Sequence, residues 1–387
     1  MTTHDVRKFA ESLNLKMGSR ARHLCVLLGA GSSLAAGLPA MMALEKSVTE
    51  GLEGDQRRQF EAASAVAESG LEATLTRIRR IAAVAKGIDT IDGMTGEAAS
   101  LLDKAICELI VKALSKPEAN AEHAERFAAW AGRASHKAPI EVFTTNYDLL
   151  LESGLEERGV PYFDGFVGVI DGRFRADMVE AAPGADAWLP DFIVRLWKLH
   201  GSVNWHWTKD GREIRRGHCE GAQALPAAVY PSEAKYTESR RMPFLALQDR
   251  FRRAIGEPET LLLVAGYSFG DEHLNEIIFD AGQQHPRTEI DILCYADLIP
   301  EVVDRAKSLP NLQLVGDRRA VIAGVEGVWA APSDTDALPE DLWRDGRFTL
   351  GDFACLATFL ARATISDEDP TDQLRAVLRP LFGDDDA

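Results

Sequence analysis

Several features that would announce a chemistry by themselves are missing from this sequence. Its five cysteines (Cys25, Cys107, Cys219, Cys294 and Cys355) are scattered and form no CxxC pair. That spacing excludes a zinc ribbon and a redox dithiol, so no metal is expected. Cys25 and Cys294 sit in apolar runs and are expected to be buried, reduced thiols. No stretch approaches the ~20 consecutive apolar residues of a membrane helix. The segment Met1–Arg20 lacks the apolar core of a signal peptide, so a cytoplasmic location is expected. Cations are the minority, 43 Lys plus Arg against 60 Asp plus Glu, for a net charge of −17. Non-specific nucleic-acid binding needs clustered cations to displace counterions, so no direct nucleic-acid partner is expected, although a local basic groove stays open. Neither a Walker A loop nor a GxGxxG fingerprint is present.

What is present is an ordinary globular composition in 387 residues, 46% hydrophobic and 27% charged. A chain of this length buries a full core without disulfide or metal staples. Five near-continuous apolar runs, Leu24–Leu28, Ile140–Thr144, Val194–Leu199, Leu261–Ala265 and Ile290–Tyr295, predict strands covered on both faces. Leu312–Val315 is a weaker sixth. Turn residues followed by helical patterns give the rhythm of an α/β fold, a doubly wound (Rossmann-like) parallel sheet with a large helical insertion and a short C-terminal helical segment. The insertion spans Ala40–His136. Within it Leu71, Leu75, Ile78 and Ala82, and then Leu102, Ile106, Leu109 and Ala113, mark two amphipathic stripes, and Gly87–Gly96 separates their helices. Structural cover beside the sheet is its expected role. Phe163–Pro190 and Asp210–Pro243 read as long irregular loops. Beyond Pro332 helices resume, with Phe353, Leu356, Ala357 and Leu360 on one face and Leu374, Val377, Leu378 and Leu381 on another, before an acidic tail at Gly383–Ala387. These stripes outnumber what the two faces of one sheet accept, which predicts a homo-oligomer that buries the excess.

Four polar turns follow four of the predicted strands. Gly29-Ala30-Gly31-Ser32 follows the first and is either a phosphate cradle opening a helix or a plain tight turn. Thr145-Asn146-Tyr147-Asp148 follows the second, where Asn146 and Asp148 are ligand groups or helix caps. His200-Gly201 follows the third, with His200 a general base or a structural histidine, and His206 nearby a hydrogen-bonded loop residue. Gly266-Tyr267-Ser268 follows the fourth, with Ser268 within reach of a ligand and Asp271 expected as a helix cap. The C-terminal edge of a parallel sheet is where doubly wound folds place ligands. Four such turns converging there favour a nucleotide site.

The order Gly-Ala-Gly-x-Ser, Gly37-Leu38-Pro39, Thr-x-Asn-x-Asp, His-Gly and Gly-x-Ser resembles the sirtuin superfamily over residues 20–39 and 137–297. Phe143-Thr144-Thr145-Asn146-Tyr147-Asp148, Lys198-Leu199-His200-Gly201-Ser202 and Gly266-Tyr267-Ser268-Phe269-Gly270-Asp271 are most similar to the bacterial sirtuin-like NADases of anti-phage defence. The resemblance implies NAD as substrate and its hydrolysis to ADP-ribose and nicotinamide. It implies Asn146 and His200 as catalytic groups, and Gly29, Ala30, Gly31, Ser32, Pro39, Thr145, Asp148, Gly266 and Ser268 as NAD contacts. It further implies a catalytic domain over 1–331 and an oligomerisation or docking segment over 332–387, with a HerA-type hexameric ATPase as partner. The chain departs from deacetylating sirtuins in lacking their two zinc cysteine pairs, in carrying Ala40-Met41-Met42 after Pro39, and in carrying Thr145 where they have Gln.

Overall fold

The computed structural model describes residues 2–67, 70–116, 119–134, 136, 138–180, 193–208, 213–217, 242–332 and 337–363. Cys219, the stripe at Leu374–Leu381 and the acidic tail lie outside the described residues. Short β1 (Thr3–Asp5) leads into α1 (Val6–Gly18), where the Asp5 side chain accepts from Lys8 N and caps the first turn. β2 (His23–Leu28) is buried at every residue and ends in a one-turn helix, α2 (Gly31–Leu34). Four helices follow: α3 (Met41–Gly51), α4 (Gly54–Val66), α5 (Gly70–Val84) and α6 (Gly96–Leu114). Then come α7 (Glu122–Arg133), β3 (Glu141–Thr144), α8 (Leu150–Glu157) and β4 (Tyr162–Phe163). Shorter pieces are β5 (Phe166–Val167), β6 (Asp171–Phe174) and α9 (Ala176–Glu180), followed by β7 (Val194–Lys198), β8 (Trp205–Trp207) and β9 (Ile214–Gly217). The second half runs through α10 (Phe244–Gly256), β10 (Thr260–Ala265), α11 (Glu272–Gln284), β11 (Glu289–Leu293), α12 (Pro300–Ser308) and β12 (Leu312–Val315). It closes with β13 (Arg319–Ile322), β14 (Val325–Ala330), the hairpin β15 (Trp343–Arg344) and β16 (Arg347–Phe348), and α13 (Phe353–Ala363).

The main sheet has ten strands in the order β1-β14-β13-β12-β11-β10-β2-β3-β7-β4. From β12 to β4 every neighbour is parallel. The chain winds outward from β2 through β3 toward β7, and from β10 through β11 toward β12. The winding therefore reverses between β2 and β10, the crevice where a doubly wound sheet takes its ligand. Alternate residues of the strands feed two cores. Leu24, Val26 and Leu28 pack with α1, α7 and α13 on one face, while Cys25 and Leu27 pack with α10, α11 and α12 on the other. Two covered faces are the reason these strands read as continuous apolar runs. β11 begins one residue earlier and ends two residues earlier than its predicted run, and Tyr295 is exposed.

Two expectations change. The segment 40–136 is helical, but its last helix, α7, belongs to the sheet: Phe127, Ala128, Trp130 and Ala131 lie in the sheet's core. Only α3–α6 form a separate core, around Leu75, Ile78, Leu102 and Ile106. Second, the two long irregular stretches contribute three strands of a four-stranded antiparallel sheet, β5-β6-β9-β8, and His206 sits on the fourth, β8, rather than in a loop. Of the stripes that fall among the described residues, those of the bundle and of α13 have partners inside the chain, while the Leu374–Leu381 stripe lies outside them. The α3–α6 stripes pack on one another, and Leu356, Ala357 and Leu360 of α13 are fully buried against the sheet.

Candidate active site

The turns after β2 and β10 meet backbone to backbone. Gly29 N donates to Ala265 O at 3.0 Å and Gly31 N to Gly266 O at 2.9 Å. A Cβ on Gly29 would lie 2.5 Å from Gly266 O, and one on Gly31 2.7 Å from Gly266 Cα. Gly266 itself has a φ of +65°, in the left-handed region, and its Cβ would strike Ser32 N. These glycines are required by each other. Two further N–H groups are donated locally, Ser32 N to Gly29 O and Ser33 N to Ala30 O.

The two serines of α2 instead hold the turn after β3. Ser32 Oγ donates to Gly29 O at 2.8 Å, and Ser33 Oγ donates to Asp148 Oδ2 at 2.7 Å. Both hydroxyl protons are thereby committed, so both oxygens accept from Asn146 Nδ2, at 2.9 and 2.8 Å. This chain of donors fixes the carboxamide orientation. Asn146 Oδ1 is buried and has no hydrogen-bond partner. Asp148 serves two ends, because its Oδ1 also accepts from Leu150 N at the start of α8. Asn146 caps nothing. Between them, Tyr147 packs its side chain into the α3–α6 core. The backbone of this turn is held by Lys198, a buried lysine whose Nζ donates to Tyr147 O, Asp148 O and Glu152 Oε1. Burial pushes the Glu152 carboxyl up, and the Lys198 ammonium offsets only part of that push.

His200 Nε2 lies 3.1 Å from Asp271 Oδ2, and both side chains are 8% exposed. The other Asp271 oxygen accepts from His273 N and Leu274 N, so the expected cap of α11 is present together with the histidine contact. The turn is braced further by Tyr267, whose hydroxyl shares its one proton between Asp271 O and Asn275 Oδ1. Burial, aided by the Asp271 charge, pushes that phenol well above its ordinary value, so it stays a donor.

These groups border one cavity of about 360 Å³. Among the expected site residues, Ala30, Pro39, Thr145, Asn146, Asp148, His200 and Ser268 line it, whereas Gly29, Gly31, Ser32 and Gly266 stand behind the wall. Ser33, Tyr267 and Asp271 join it without having been expected as ligand groups. Opposite the polar edge, Leu44, Leu71 and Leu114 of the α3–α6 bundle supply an apolar wall, so the bundle shapes the cavity. Two carboxylates and one histidine face the space, and its described lining contains no Lys or Arg. Among the described residues no group of three or more His, Cys, Asp or Glu could hold a metal ion, and no helix is long and apolar enough to cross a membrane.

Residues 140–306 match the family model of the SIR2-like domain. The matched stretch starts one residue before β3 and ends in α12, so it contains Asn146, Asp148, Lys198, His200, Ser268 and Asp271. The glycine turn after β2 and the bundle lie outside it. Among solved structures, the chain is similar to one described as the structural basis for the mechanism and regulation of Sir2 enzymes. The identity is 14%, the TM-score 0.42, and the match covers 97% of this chain and 100% of that one. A Sir2 homolog–NAD complex is 15% identical with a TM-score of 0.40, over 75% of this chain and 84% of that one. A mutant Sir2 homologue in complex with ADP-ribose is 12% identical with a TM-score of 0.42, over 93% and 99%. No curated protein matches the chain.

Proposed function

We propose that this cavity hydrolyses NAD to ADP-ribose and nicotinamide. The observation that carries the reading is the pairing, at one cavity, of a carboxamide locked by two serines with a buried histidine held by a carboxylate. Cleavage breaks the bond between the nicotinamide nitrogen and the ribose C1′, and both electrons leave with the ring, which departs neutral. The ribose centre becomes oxocarbenium-like, water adds to C1′, and the water's proton passes to His200. Asn146, with its free Oδ1, orients that water and the ribose hydroxyls. A general base is worth about 10²–10⁴ in rate. Asp148, Asp271 and the lack of cationic side chains in the described lining suit a substrate whose reacting ring is itself positively charged. The apolar wall excludes bulk water from the reactive centre.

Incubation of the protein with NAD followed by chromatography tests the reading. Equimolar ADP-ribose and nicotinamide are expected, and Asn146→Ala and His200→Ala are expected to abolish both while unfolding at the wild-type temperature. NAD consumed only in the presence of an acyl-lysine peptide would make the protein a deacylase, and NAD bound but intact would make it a scaffold. The wider reading rests on the motif resemblance: an effector that depletes NAD during phage infection, assembled as a homo-oligomer beside a HerA-type ATPase. The division into a catalytic domain at 1–331 and a docking segment at 332–387 belongs to the same proposal.

A further inference from the structure

We propose that Asp271 is the positioning residue of His200, holding the imidazole in the tautomer that carries its proton on Nε2. The inference rests on the reading of His200 as the general base. Both oxygens of Asp271 have assigned work. Oδ1 accepts from His273 N at 3.1 Å and Leu274 N at 3.4 Å, and Oδ2 lies 3.1 Å from His200 Nε2. The positive end of α11 at this position favours the ionised carboxylate, which offers acceptors only. Nε2 must therefore be the donor in this contact. The two residues lie 71 positions apart in sequence, one at the end of β7 and the other at the start of α11. The contact thus ties together two of the turns that border the cavity.

Asp271→Asn separates this role from the capping role. Asparagine caps helices about as well as aspartate, so its oxygen stays on the two backbone N–H groups. Its amino group then faces Nε2, donor against donor, and the ring must move its proton to Nδ1 to accept the new bond. The variant is expected to unfold like wild type yet lose about 10²–10⁴-fold in NAD turnover. Asp271→Ala, which removes the cap as well, is expected to lose stability too. Nitrogen-15 spectra of labelled histidine read the tautomer without any turnover: His200 is expected as the Nε2–H form in wild type and the Nδ1–H form in Asp271→Asn. Wild-type turnover in Asp271→Asn, or an unchanged His200 tautomer, would overturn the inference. If His200→Ala retained activity, the base assignment would fail, while the spectra would still decide whether Asp271 sets the tautomer.

Discussion

Substituting Glu141 by glutamine probes the buried charges that hold the strands beneath the site. Glu141 opens β3 with no exposed surface. Its Oε2 accepts from Arg250 Nε and Trp197 Nε1, both at 2.7 Å, while Oε1 accepts from Arg250 Nη2 and lies 3.0 Å from His23 Nε2. One side chain thus joins β2, β3, β7 and α10. Burial alone would push this carboxyl up, yet the hydrogen bonds from His23 and Arg250 hold it well below its ordinary value of 4.5. Burial likewise opposes charge on His23, but the neighbouring Cys25 sulfur and the Glu141 carboxylate raise its pKa. Since burial keeps the Cys25 thiol neutral, Glu141 is the anion that matters. A glutamine amide turns one set of acceptors into donors and leaves the guanidinium uncompensated. Breaking one side of such a buried pair costs about 3–5 kcal/mol. Against a total stability of about 5–15 kcal/mol that is a large fraction. With an m-value near ~3 kcal/mol/M, the urea midpoint at pH 7 should fall by roughly 1–2 M. A depressed carboxylate contributes stability above its unfolded value and loses it as pH falls, so the gap between variant and wild type should narrow below pH 4.5. Glu141→Gln/Arg250→Met, which removes the stranded cation, should recover part of the loss. A midpoint shift under about 0.2 M at pH 7, on the scale of a surface substitution, would refute the reasoning.

Two further expectations follow from the site. Gly29→Ala forces a methyl into the backbone of Gly266 and Tyr267, so the β2 and β10 turns must separate; a loss of about 1–3 kcal/mol in urea unfolding, together with at least a tenfold loss of turnover, is expected. Lys198→Met withdraws the ammonium from Tyr147 O and Asp148 O and strands Glu152, so kcat should drop while the protein still folds, with a stability cost of about 3–5 kcal/mol measured by denaturation.

Much of the sheet can be read from the sequence because strands buried on both faces leave unbroken apolar runs. The edge is harder. β14 alternates buried and exposed residues over Val325–Ala330, and β13 fully buries only its two middle residues, so neither leaves a run. The small sheet of β5, β6, β8 and β9 is built from two- to four-residue strands carrying Arg, Asp and Gly, which locally resemble a loop. At the site, sequence places Asn146, Asp148, His200 and Ser268 at strand ends, where they indeed border one cavity. It does not reveal who holds them. Ser33 and Asp148 are 115 residues apart and Lys198 reaches back 50 residues to Asp148, contacts that exist only once β2, β3 and β7 are aligned. Asp271 was legible as a cap because that signal is local; its partner His200 was not. In the glycine turn, residues that suit a phosphate cradle equally suit two backbones in contact.

The cavity's floor and roof belong to different cores. Asn146, Asp148 and His200 rise from the sheet, whereas Leu44, Leu71 and Leu114 hang from a bundle that packs on itself. Substitutions in distant cores act nearly independently on stability. The shape of the roof can therefore drift, and with it the range of molecules admitted, while the reacting groups keep their spacing. Tyr147 is the exception, because its neighbours on both sides serve the floor while its own ring is a member of the roof. Selection for a new substrate has a free hand everywhere on that roof except at this one ring, where every change in fit is also a change in chemistry.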